Sequence, residues 1–167
     1  MLSGVEKDSR PINFGPLTEL VLYQGGAALI SHKELFSLRD ECYIEFSGDI
    51  NDLVPYSAGE ELTRLHTVTE WETLLRIALW NAEGPLIRDA LGLLKKSGIK
   101  DAELSPFMHA DVNDLFPWLY YGKRFEILRK ICNAAKTRME LKFDRKKLLV
   151  YSHLISGESG RIAASSL

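Results

Sequence analysis

The sequence has little cysteine. Its two residues of this type, Cys42 and Cys132, stand far apart in 167 positions, which excludes the dense disulfide framework of a small secreted domain and makes a reducing compartment the default expectation. It has no continuous run of roughly 18 apolar residues, so no membrane-spanning helix is expected. No positively charged N-terminal region leads into an apolar stretch, so no secretory signal is read. The protein is therefore expected in the cytoplasm or nucleus.

Catalytic signatures are equally scarce. The chain lacks a GxSxG elbow and a Walker A loop, and Gly25-Gly26 falls far short of a dinucleotide fingerprint. The four histidines, His32, His66, His109 and His153, form no HxxxH or HExxH pair, and a dispersed set of four is a poor zinc signal. Cysteine catalysis would need Cys42 or Cys132 as a thiolate beside His32, His66 or His153. There is no solenoid-period repeat and no low-complexity tract.

What is present fits one soluble globular domain: 46% hydrophobic and 26% charged residues. A chain of this length buries roughly 70% of the surface its unfolded form exposes, enough for a core without metal or disulfide staples. Residues 1–16 read as a flexible N-terminal tail, residues 17–156 as a single domain and residues 157–167 as a flexible C-terminal tail.

Within the domain, Leu17 to Gln24 and Ala27 to Ser31 flank Gly25-Gly26 and predict a hairpin. Leu35 to Phe46 carries a further strand signal, strongest in Cys42 to Phe46. Thr67-Val68-Thr69-Glu70 has the form of a capping box, and Trp71, Leu74, Leu75, Ala78 and Leu79 follow the spacing of a core-facing helix. A second helix starts at Pro85, turns Leu86, Ala90, Leu91 and Leu94 inward and ends at Gly98. Asp111 is placed to cap a short helix, and Lys123 to Thr137 predicts another, with Phe125, Leu128, Ile131, Cys132 and Ala135 on its buried stripe. Met139, Leu141 and Phe143 alternate with charged residues before the apolar run Leu148 to Ile155, which predicts a C-terminal hairpin. The expected fold is α+β, with antiparallel strands from N- and C-terminal hairpins and three to four central helices packed on one face.

The net charge of −2 conceals a split. Between Gly122 and Lys147 ten basic residues face three acidic ones, a local charge of +7 that leaves −9 to the rest of the chain. Such a segment attracts a polyanion or the acidic end of another copy. Phe107, Phe116, Trp118, Tyr120, Tyr121 and Phe125 fall within 19 residues immediately before and into it. Aromatics beside cations serve a core, a protein interface or a single-stranded nucleic-acid surface.

These features predict a non-enzymatic interaction or assembly protein that uses no cofactor, with the layout of a small viral structural or accessory protein such as a matrix-like protein. Its partner is expected to be another protein or a second copy, with nucleic acid and anionic membrane as further candidates. Trp118 and Tyr121 would anchor the contact, with Arg124, Arg129, Lys130, Arg138, Arg145, Lys146 and Lys147 supplying charge. The alternative is a small metal-assisted hydrolase or nuclease built on His109, Asp111 and Asp114, an imidazole and two carboxylates clustered near a helix start.

Overall fold

In the computed structural model, residues 18–58, 61–144 and 147–166 are described; the expected tail over residues 1–16 lies outside them. Five strands form one mixed sheet in the order β2-β1-β3-β4-β5. They are β1 (Glu19–Tyr23), β2 (Tyr43–Glu45), β3 (Arg64–Thr69), β4 (Leu149–Ile155) and β5 (Ile162–Ser165). The first four run parallel to their neighbours, and β5 pairs antiparallel with β4. The helices are α1 (Gly25–Phe36), α2 (Trp71–Leu79), α3 (Ile87–Lys96), α4 (Asp101–Leu104), α5 (Leu115–Tyr121) and α6 (Phe125–Phe143). No helix among the described residues is long and apolar enough to cross a membrane.

The α+β class stands, with a different distribution of parts. Alternate residues of the same strands feed two cores. Leu20, Leu22, Leu65, Val150 and Leu154 face the large helical layer, where Trp71, Leu74, Leu75, Leu128, Ile131 and Met139 are buried. Val21, Val68 and Ile155 face the other way, against Ala28 of α1. Among the described residues, helices therefore cover both faces, α1 on one and α2 with α6 on the other.

The expected N-terminal hairpin is instead a β-α-β unit. Gly25, at φ 84°, turns the chain out of β1, and Ala27-Ala28-Leu29 is a strong helix former once that turn is made. The proposed capping box is not closed: Thr67 and Thr69 belong to β3, and Glu70 precedes α2 without a side-chain cap. At the other end α6 continues through Phe143, because Met139 and Phe143 extend the buried stripe of Ala135 at helical spacing. Phe125 at the start of α6 and Leu86 just before α3 are exposed rather than inward, and Leu35 and Phe36, expected to lead into a strand, close α1. The C-terminal hairpin then pairs β4 with β5, so residues 162–165 lie in the sheet rather than in a frayed tail.

Candidate metal centre

On the α1 side of the sheet, three histidines far apart in sequence converge. Helix α1 turns Ala28, Ser31 and His32 toward the strands at i, i+3 and i+4. The Ser31 hydroxyl ties it down by donating to the Gly160 carbonyl at 2.6 Å. His66 of β3 pairs with Tyr151 of β4, and Val68 pairs with His153, so both histidines point from the same face. All three rings are buried, at 0–2% exposure.

The inner nitrogens meet: His32 Nε2 lies 3.1 Å from His66 Nδ1, which lies 3.2 Å from His153 Nε2. Each outer nitrogen has its own partner. His66 Nε2 donates to Glu19 Oε2 at 2.7 Å, His32 Nδ1 meets the Tyr43 hydroxyl at 2.7 Å, and His153 Nδ1 meets Ser165 Oγ at 2.7 Å. Every strand thus contributes to the site: Glu19 from β1, Tyr43 from β2, His66 from β3, His153 from β4 and Ser165 from β5.

This pattern is short of one acceptor at its centre. The Glu19 carboxylate only accepts, so His66 carries its hydrogen on Nε2 and a single lone pair on Nδ1. That one lone pair faces two other nitrogens and can accept well from only one. A cation between the three rings would engage every inner lone pair at once. Tetrahedral zinc with Zn–N bonds of about 2.0–2.1 Å sets its ligand nitrogens about 3.3–3.4 Å apart, close to the two separations about His66, and the ligand atoms of all three histidines lie within 4.8 Å of one another. The outer partners are those that fix ligand tautomers, a carboxylate foremost among them.

Electrostatics favour the same role. Burial holds His32 and His153 down at about 3, with the charge of neighbouring His66 adding to the effect. His66 is also lowered by burial, against the pull of its hydrogen bond to Glu19. The rings are therefore neutral, as ligands must be. Aromatic rings enclose them: Phe36 stacks on His32 with centroids 4.4 Å apart, and Tyr151 stacks on His66 at 4.8 Å.

The residues singled out from sequence are distributed elsewhere. His109, Asp111 and Asp114 are exposed. The two carboxylates close a capping box, Asp111 Oδ1 accepting from Asn113 N at 2.8 Å and Asp114 Oδ2 from Asp111 N at 3.3 Å. They serve the backbone, and among the described residues the three histidines above form the one group placed to hold a metal ion. Cys42 and Cys132 are buried free thiols. Burial pushes both thiols up, Cys132 to about 12, which makes neither a ready nucleophile.

The basic and aromatic set does not converge at one point. Trp118 packs on Phe107 with centroids 4.6 Å apart, and Arg124 lies over Trp118 while pairing with Glu103. The Tyr121 hydroxyl bonds Glu158, and Arg129 pairs with Glu126. Lys130 and Arg138 line one groove beside α3, of about 590 Å³. Lys147 is exposed, whereas Arg145 and Lys146 lie outside the described residues. Compared with known protein families, curated proteins and solved structures, the chain has no match.

Proposed function

We propose that this protein binds a divalent transition metal of the zinc class through His32, His66 and His153. The observation that carries the reading is the convergence of three buried imidazole nitrogens, each ring held from behind by a hydrogen-bonding partner on a separate strand. Imidazole ligands select zinc, copper, nickel or cobalt over magnesium and calcium, which prefer oxygen. Three histidines leave a tetrahedral ion one position for water or substrate, the arrangement of a Lewis-acid centre rather than of a closed structural site. The ion would also tie α1, the source of His32, to the sheet.

The test is metal analysis of protein purified with chelator and then dialysed against zinc. One ion per chain is expected, and none after any of the three histidines is replaced by alanine. Sub-stoichiometric uptake that is unchanged in those variants would overturn the reading.

A second reading, docking of an acidic protein partner or a second copy in the cytoplasm or nucleus, draws on the groove between α3 and α6. Lys96, Lys130 and Arg138 border it, and Leu93, Ala134 and Leu141 supply apolar surface. Sedimentation at low and high salt tests self-association, which screening should weaken. A monomer at both salt concentrations would remove the second-copy form of this reading.

A further inference from the structure

Four rings, not three, surround the point where the inner nitrogens meet. The centroids of His32, His66 and His153 are 4.7, 5.3 and 5.5 Å apart. The centroid of Phe36 lies 4.4, 5.1 and 5.4 Å from those same rings. Six distances within so narrow a span describe a nearly regular tetrahedron with Phe36 at its fourth vertex. The centre of such a figure lies about 3 Å from each vertex, which is also about how far an imidazole-bound zinc sits from the middle of its ligand ring. An ion bound by the three histidines would therefore find the phenyl ring where its fourth ligand belongs. That ring has no lone pair to give.

Phe36 is also placed to move. It is the last residue of α1, 40% exposed, and the chain leaves it through Ser37 in the left-handed conformation at φ 51°. One side of the ring lies on the histidines and the other side meets solvent. Leu35 beside it is 64% exposed. A turn of the Phe36 side chain toward solvent would give up its contacts with the three histidine rings while the backbone cap from Ser37 N to the Lys33 carbonyl at 2.9 Å stays closed.

We infer that Phe36 is the lid over the metal's fourth position, and that the centre takes a small monodentate ligand, such as water, hydroxide or a compact anion, in exchange for the ring. The inference rests on the metal-binding reading above and adds a selectivity: ligands compete with the phenyl ring, so bulky ones are excluded while the helix end stays in place.

Cobalt(II) as the metal and azide as the ligand test this, because visible absorption of cobalt reports its coordination. Wild type, Phe36→Leu and Phe36→Ala are loaded with cobalt and titrated with azide. One cobalt per chain is expected in all three, with azide binding at least tenfold tighter in Phe36→Ala than in wild type and intermediate in Phe36→Leu. Equal azide affinity in the three proteins, with cobalt bound, overturns the lid and leaves the metal centre standing. Loss of cobalt binding in Phe36→Ala alone, with folding intact by circular dichroism, also overturns it, since the ring would then support the centre rather than cover it. Failure of wild type to bind cobalt overturns the metal centre and the lid together.

Discussion

Glu19 and His66 meet on neighbouring parallel strands, Oε2 of the one accepting a hydrogen bond from Nε2 of the other at 2.7 Å, with the glutamate at the edge of solvent and the imidazole buried. The contact decides which nitrogen of His66 carries a hydrogen and turns Nδ1 toward His32 and His153. Glu19→Gln keeps the shape but removes the charge, and its amide can present either oxygen or nitrogen to the ring. Replacing such an outer partner costs roughly 10–100-fold in metal affinity. Competition against a chromophoric chelator measures this; an unchanged affinity would remove Glu19 from the working parts of the site.

Zinc should raise the melting temperature of wild type, because an ion bound only by the folded chain stabilises it by about 4 kcal/mol at a thousand times its dissociation constant. His32→Ala, His66→Ala and His153→Ala should each abolish that rise. His109→Ala should keep it, since His109 is exposed and outside the cluster. Differential scanning calorimetry with and without zinc checks all five proteins. A zinc-dependent rise that survives His153→Ala, or vanishes with His109→Ala, contradicts the assignment.

Acid should weaken the metal-free fold before it weakens metal binding. Unfolded histidines titrate near 6.5, whereas burial holds His32 and His153 at about 3 in the fold. The unfolded chain therefore takes up protons first as pH falls. The loss begins near pH 6.5 and continues toward 3, at about 1.4 kcal/mol per pH unit for each histidine. Urea denaturation at pH 7.5 and pH 5.5 should show a lower midpoint in acid. Over the same interval the folded ligands are already neutral, so zinc affinity should change little. Ordinary histidines would instead lose about tenfold each at one unit below their pKa.

The same contrast between local and distant information separates what the sequence makes legible from what it hides. Strand β2 is visible in Cys42 to Phe46, and α2 in the spacing of Trp71, Leu74, Leu75 and Ala78, because alternation and helical period are local signals. Strand β3 is hidden: Leu65 to Thr69 are buried on both faces, so polar and apolar residues do not alternate. His66 lies in that strand and is hidden with it. The site joins residues 34 and 87 positions apart, from a helix read as a hairpin arm and from two strands. The one clue was that His66 and His153 each sit inside apolar or β-branched surroundings, Leu65-His66-Thr67-Val68 and Ser152-His153-Leu154-Ile155, where a lone imidazole needs a partner. The sequence points metal-assisted chemistry to the exposed His109, Asp111 and Asp114, where the spacing of the two carboxylates is that of a cap.

Trp71 tests the other core. It is 4% exposed, and its indole nitrogen donates to the Val112 carbonyl at 2.9 Å, so the ring joins α2 to the segment before α5. Trp71→Ala should cost about 3–5 kcal/mol, the usual loss for a buried aromatic, measured by urea denaturation. Its layer lies across the sheet from the histidines, so the surviving folded protein should bind zinc with wild-type affinity. A stability loss below about 1 kcal/mol would mean that the ring is not structural core.

Charge reversal in the α3–α6 groove should separate docking from folding. Lys96 and Arg138 border the groove without a carboxylate partner among the described residues, and Lys130 donates only to the Ser97 carbonyl at 3.1 Å. Cations beside Leu93 and Leu141 suit acidic side chains carried on an apolar segment. Lys96→Glu with Arg138→Glu should leave the melting temperature within about 2–4 °C of wild type, since surface substitutions change stability little. Any salt-sensitive self-association seen by sedimentation should disappear in that variant while its zinc content stays at one per chain. Association that persists after both reversals would place the contact elsewhere, with the exposed Ile30 and Leu35 of α1 the next surface to alter.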